Sequence, residues 1–131
     1  MRSAMFFLLF FSISCFAENG FSEGMCSDID NSDQVYLCST KKLSESDMIL
    51  NNEYKELISN INYEYKRDEK LRKEYIHKLK LAQRAWISFR DKNCDVKAFQ
   101  IESQSQTYET LINDCKNKMT LARIEEIKEL K

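Results

Sequence analysis

The chain has no proline and only two glycines, Gly20 and Gly24, both near its start. More than a hundred residues beyond Gly24 carry neither backbone breaker. That stretch is expected to be mostly helical. The same scarcity excludes a glycine-rich phosphate loop downstream of the arm that holds both glycines. There is one histidine, His77, and no C-x-x-C pair. His77 lies far in sequence from every cysteine, so no metal-ligand spacing is present. It sits one position off the apolar stripe of a charged segment, which reads as a solvent-facing side chain. Carboxylate neighbours such as Glu125-Glu126 read as ordinary helix surface. With no nucleophile and base in evidence, no catalytic residue, metal or cofactor is assigned, and the chain is not read as an enzyme. Positive charge is not in excess either: 20 basic residues face 21 acidic ones, for a formal net charge of −1. This is not the balance of a nucleic-acid binder.

The start of the chain reads as a secretory signal. Arg2 supplies the positive segment, Ala4–Ile13 a largely apolar run, and Ser14-Cys15-Phe16-Ala17 small residues for cleavage after Ala17. The run is too short to span a bilayer. Lipid attachment at Cys15 is disfavoured, because Ser12-Ile13-Ser14 puts a polar residue where a large aliphatic one is usual. The expectation is residues 1–17 as a signal peptide and 18–131 as a single helical domain, exported to the periplasm or secreted. Losing Arg2 takes the net charge to −2.

Export changes how the remaining cysteines read. Cys26, Cys38, Cys94 and Cys115 form an even set in an oxidising compartment, which argues for two disulfides. Three pairings exist. Spacing favours Cys26–Cys38 as a local clasp and Cys94–Cys115 as an interhelix bridge, each worth roughly 3 kcal/mol on the chain-entropy model.

Residues 18–40 differ from the rest. They hold Glu18, Glu23, Asp28, Asp30 and Asp33 with no basic residue before Lys41. This reads as an irregular acidic arm, with one short helical turn near Asp33–Cys38. Its charge suits a solvated loop or, alternatively, an acidic face (Glu23, Asp28, Asp30, Asp33) for a basic partner. Ser44 and Asp47 resemble a capping box opening a helix over about 45–66, with Leu50, Tyr54, Leu57, Ile58, Ile61 and Tyr65 at helical spacing. Asp68 is placed to cap the next helix, although one continuous helix through 66–69 is the alternative. The second long helix runs over about 69–99, with a stripe of Leu71, Tyr75, Leu79, Ala82, Trp86, Phe89, Asn93 and Val96. A polar turn at Gln100–Gln106 leads to a helix over about 105–130 carrying Tyr108, Leu111, Ile112, Cys115, Met119, Ala122, Ile124, Ile127 and Leu130. Long helices with short connections predict an all-α, up-down bundle of three helices with a disulfide-clasped N-terminal arm.

The stretch Lys80–Cys94, KLAQRAWISFRDKNC, holds the only tryptophan, Trp86. On a helix, Trp86 shares a face with Leu79, Ala82, Phe89 and Asn93. Arg90 lies one turn beyond it, placed to sit over the ring or to pair with a carboxylate. Arg84 and Asp91, seven apart, point one way from a neighbouring stripe. Trp86 reads first as a core anchor with a charged border, and second as part of a contact cluster.

Three strings together resemble a known family. They are Leu50-Asn51-x-x-Tyr54-x-x-Leu57, then Leu79-x-x-Ala82-Gln83-Arg84-Ala85-Trp86-Ile87-x-Phe89-Arg90-Asp91-x-x-Cys94, then Cys115-x-x-x-x-Thr120-x-x-Arg123. The chain is similar over about residues 26–127 to the LprI-type lysozyme-inhibitor domain family. The resemblance implies a small exported, disulfide-bonded helical domain whose activity is to bind and inhibit lysozyme. It carries no catalytic residue over. This chain lacks the glycine common between the last two cysteines, so the Gln100–Gln106 turn must be made differently. Read physically, Asn51 and Gln83 are polar at semi-buried helix positions and need hydrogen-bond partners. Arg84, Arg90 or Arg123 are placed to bridge to Asp91 or to helix-end carbonyls.

Two functions follow as expectations. One is a protein that occludes a cell-wall muramidase, steered by acidic charge. The other is a periplasmic adaptor or immunity-type module. That second reading predicts surplus apolar residues, Tyr63, Ile76, Leu81, Ile87 and Ile101, exposed as one patch.

Overall fold

The computed structural model describes residues 26–131; the expected signal segment, Cys15, Glu18, Glu23 and both glycines lie outside them. Three helices follow in order: α1 (Ser32–Glu64), α2 (Glu69–Lys97) and α3 (Gln106–Glu129). They form the expected up-down-up bundle. Each helix opens on a polar cap. Asn31 accepts a hydrogen bond from the Gln34 amide, Asp68 from that of Leu71, and Ser105 from that of Tyr108. Such caps satisfy amide groups that have no intrahelical partner. None of the three helices is long and apolar enough to cross a membrane.

Both disulfides join the favoured partners, Cys26 to Cys38 and Cys94 to Cys115, with Cα separations of 5.5 and 5.7 Å. The first clasps the arm as expected. The arm's second half, however, is not a loop: α1 begins at Ser32, well before the expected start near residue 45. No breaker follows Asn31, so the helix simply continues through Ser44 and Asp47. These two residues are interior to α1 and cap nothing.

The apolar core at one end gathers Leu50, Leu57, Ile61, Leu79, Ile124 and Ile127, with Tyr54, Ile58, Tyr65, Tyr75, Ile76 and Trp86 packed around it. The expected α1 stripe is therefore the observed one. At the other end Cys94, Ala98 and Ile112 are buried with Tyr108, Cys115 and Met119 beside them.

On α2 the inward face is displaced by one residue. Leu79, Gln83, Arg90 and Cys94 are buried. Ala82, Phe89 and Val96, expected inside, are exposed. One residue is about 100° of helix rotation. The cause is Cys94, fully buried and bonded to α3. Once its sulfur points at Cys115, positions four and eleven residues earlier, Arg90 and Gln83, face inward with it.

α3 packs most closely on α1, and α1 and α2 meet least. α1 and α3 run parallel in a register marked by three polar pairs, each seven residues after the last. Gln106 donates to Asp33 at 2.8 Å, Asn113 to Thr40 at 3.1 Å and Thr120 to Asp47 at 3.3 Å. A sevenfold repeat is the spacing at which two parallel helices keep facing each other, and polar residues on such a seam specify its register. Lys131 closes the far end with bonds to Glu53 and Glu56 of 2.6 and 2.5 Å.

The connection from α2 to α3 turns at Gln104, which has φ 68°. A left-handed residue is what a glycine would ordinarily supply, and here glutamine supplies it.

Candidate functional site

Where α1 and α2 diverge, their facing sides leave a groove of about 480 Å³, lined by Asp47, Leu50, Asn51, Tyr54, Lys80, Gln83, Arg84, Ile87 and Arg90. Seven of these, Leu50, Asn51, Tyr54, Gln83, Arg84, Ile87 and Arg90, stand in the motif strings of the sequence. They meet here because Leu50 and Tyr54 lie on the inward stripe of α1, while Gln83 and Arg90 lie on that of α2.

Arg90 is the centre of the site. Its Nη1 donates to Asp47 Oδ1 at 2.7 Å and to Thr120 Oγ1 at 3.0 Å, and its Nε donates to Asp91 Oδ1 at 3.0 Å. One guanidinium thus ties α1, α2 and α3 together. A planar five-donor group can do this and an ammonium cannot. Lys116 reaches Asp91 at 3.4 Å. The same Arg90 lies 5.4 Å from the Trp86 ring centroid, and Arg123 lies 5.7 Å from it. Arg90 therefore takes both expected roles, over the ring and against carboxylates. Arg123 Nε donates to Gln83 Oε1 at 3.1 Å, giving that buried amide its partner. Trp86 is half-buried against the apolar core, held by two cations.

The groove wall differs from this closed network. Asn51 and Arg84 are exposed, and Asn51 is not the semi-buried residue expected. Lys80 and Arg84 make no ion pair with any carboxylate among the described residues. Tyr54 is half-buried; burial pushes its hydroxyl pKa up, and the Arg84 cation opposes that shift. The result is an open cleft with an aromatic base, an amide and two available cations. Such a surface can accept carboxylate or hydroxyl groups from another molecule.

The acidic residues sit elsewhere. Asp28, Asp30 and Asp33 are exposed around the start of α1. Asp33 is engaged by Gln106. It lies about 27 Å along the helix from Asn51 at 1.5 Å per residue, so the acidic face and the groove are separate surfaces.

Sequence reasoning missed Asp47 and Lys80 as site residues. Asp47 was misread as a cap, although it stands three residues before Leu50 on the same stripe. An acid on an inward stripe signals a buried cation partner. Lys80 carried no signal beyond its place on α2, while Ile87, a motif residue, was read only as surplus apolar surface.

The fold has a solved counterpart. It matches a DUF1311 family protein from Pseudomonas putida KT2440, with a TM-score of 0.68 and 20% identity, covering 79% of this chain and 96% of that one. No curated protein matches the chain. The family model described as lysozyme inhibitor LprI matches residues 26–127, which takes in α1, α2, nearly all of α3, both disulfides and every residue of the Arg90 network; the chain belongs to that family.

Proposed function

We propose that this protein is an exported, disulfide-locked binding protein that blocks a lysozyme-type muramidase by contact, without catalysing any reaction. The observation that carries this reading is the groove. The family's motif residues gather around it, and its rim holds two cations, Lys80 and Arg84, without an ion-pair partner among the described residues. Muramidases flank the scissile bond with two carboxylates. A rigid rim that presents a guanidinium and an ammonium meets that charge. The acidic residues Asp28, Asp30 and Asp33 would face the basic body of such an enzyme and speed the encounter. Two disulfides fit an oxidising compartment, which supports a periplasmic or secreted location.

Titrating muramidase activity against the purified oxidised protein tests this. Inhibition at near-stoichiometric ratios is expected. Lys80→Glu/Arg84→Glu should weaken it by at least about tenfold, the loss of one or two charge-assisted contacts. Both side chains are exposed, so thermal stability should hardly change. Failure to inhibit several lysozyme types at micromolar excess would remove the proposal.

An adaptor or immunity-type module is the second reading, favoured by apolar residues left outside the core. Tyr63, Leu81 and Ile87 are exposed, whereas Ile76 and Ile101 are half-buried. Tyr63 is on α1 and Ile87 lines the groove, so these five do not make the single patch expected of them.

A further inference from the structure

We infer that the groove between α1 and α2 captures the free carboxylate end of a short, extended peptide. The closed network around Arg90 leaves two donor groups over on the groove floor. Arg123 can only donate, so Gln83 turns its oxygen toward it, and Gln83 Nε2 is left with no partner among the described residues. Arg90 uses Nη1 and Nε on Asp47, Thr120 and Asp91, while its Nη2 makes no hydrogen bond to any described residue. Both residues are only 9% exposed, and both line the groove. Among the described residues no fully buried side-chain nitrogen or oxygen lacks a partner, so these two nitrogens are open to solvent. A donor held on a nine-tenths buried side chain and left open on a cleft is fixed in place before any ligand arrives.

The spacing of these donors and the charge around them select the occupant. Gln83 and Arg90 stand about 10.5 Å apart along α2. Roughly three extended residues cover that length. Because α1 and α2 run antiparallel and Asp47 meets Arg90, Tyr54 lies across the groove from Gln83. The Arg90 end already holds two carboxylates, Asp47 and Asp91. The Gln83 end holds Lys80 and Arg84, and the acids Glu53 and Glu126 are turned to Lys131 and Arg123. A peptide carboxylate therefore seats at the Gln83 end, on Gln83 Nε2 and the Arg84 guanidinium. A carbonyl three residues back falls at Arg90 Nη2. Asn51, whose side chain makes no hydrogen bond to a described residue, offers its amide to the peptide backbone. Leu50 and Ile87 line the groove between the two ends and take an apolar side chain. An inorganic anion would reach the cations but leave the Arg90 donor and the apolar floor unused.

An NMR titration of the oxidised protein with acetyl-Ala-Leu-Ala should saturate with a dissociation constant of about 1 mM or tighter. The side-chain signals of Gln83 and Arg84 should be among those that move. The same peptide with its terminus amidated should bind at least about tenfold more weakly, and so should the free acid to Arg84→Gln. Arg84 is exposed, so that variant should keep its fold. Lys118→Gln removes an exposed cation from α3, outside the groove, and should leave binding unchanged. No saturation by about 10 mM peptide overturns the inference. So does equal binding of the amidated peptide, inorganic phosphate that binds as tightly as the free acid, or Lys118→Gln that weakens binding as much as Arg84→Gln. The inference goes beyond the muramidase reading, and the two fail separately. Muramidase inhibition without peptide binding removes this one alone, and peptide binding without inhibition removes the other alone.

Discussion

Around Leu57 and Ile127 the three helices are closed by hydrocarbon; around Arg90 and Cys94 they are closed by a disulfide, a guanidinium and hydroxyls. The first end buries Leu50, Leu57, Ile61, Leu79, Ile124 and Ile127 as one cluster. The second buries Ser39, Ser46, Thr120 and Arg90 beside Cys94 and little aliphatic carbon. Hydrocarbon contact is non-directional and tolerates small rotations. Bonds at 2.7 to 3.3 Å between named atoms do not. One end supplies cohesion, and the other sets which residues of each helix face which.

Substitution in the apolar end should have the largest effect. Leu57→Ala should cost about 4 kcal/mol in denaturant unfolding, since Leu57 is fully buried within the apolar cluster and its loss leaves a cavity there. Amide exchange should accelerate throughout the bundle. Loss confined to one helix would show that this end does not hold the whole together. Cys94→Ala/Cys115→Ala should come next, at about 3 kcal/mol on the loop-entropy account. Here exchange should quicken first between residues 94 and 115, with the apolar end still protected. Equal loosening of both ends would erase the distinction between them.

The same division decides how much was legible in the sequence. The stripe of α1 from Leu50 to Tyr65 was readable, because apolar side chains marked its buried face and the periodicity is unambiguous. The pairing of the cysteines followed from spacing. On α2 the apolar letters misled: Phe89 and Val96 outrank Gln83 and Arg90 on any hydrophobicity scale, yet the latter are inside. What placed them there was Cys94's bond to a residue on another helix, which a single helix's periodicity does not contain. Asp47 was obscured in the same way. Its partners, Arg90 and Thr120, lie 43 and 73 residues away. The motif strings did hold Arg90, Asp91, Thr120 and Arg123 together, so the resemblance reached the network that composition could not.

Arg90 gives a smaller and more discriminating test. Arg90→Met keeps the methylene stem but removes the donors to Asp47, Asp91 and Thr120. Breaking a fully buried pair costs about 3–5 kcal/mol. Asp47 is partly open to water, so about 2 kcal/mol is expected here. Adding Asp47→Leu should recover part of the loss, because no carboxylate is then left without its cation. The Trp86 emission should shift in both variants, since Arg90 lies over that ring. Additive losses from the two substitutions would mean that the residues stabilise the fold independently, and the polar end would then need another account.

The turn between α2 and α3 tests the polar end's precision at the smallest scale. Gln104 holds φ 68°, where a side chain with a Cβ is disfavoured by about 1 kcal/mol or more. It tolerates this because Cys94–Cys115 and the Ser105 cap fix both sides of the turn. Gln104→Gly removes the steric cost but gives the unfolded chain more freedom, a loss of about 0.4–1 kcal/mol. The net expectation is a stabilisation below about 1 kcal/mol, seen as a rise of a few degrees at most in thermal midpoint. Gln104→Val should act in the opposite direction and more strongly, since a β-branched residue fits the left-handed region worst. If valine and glycine give the same midpoint, the turn is loose enough to leave that region. The disulfide would then be holding two helix ends together without imposing the geometry between them.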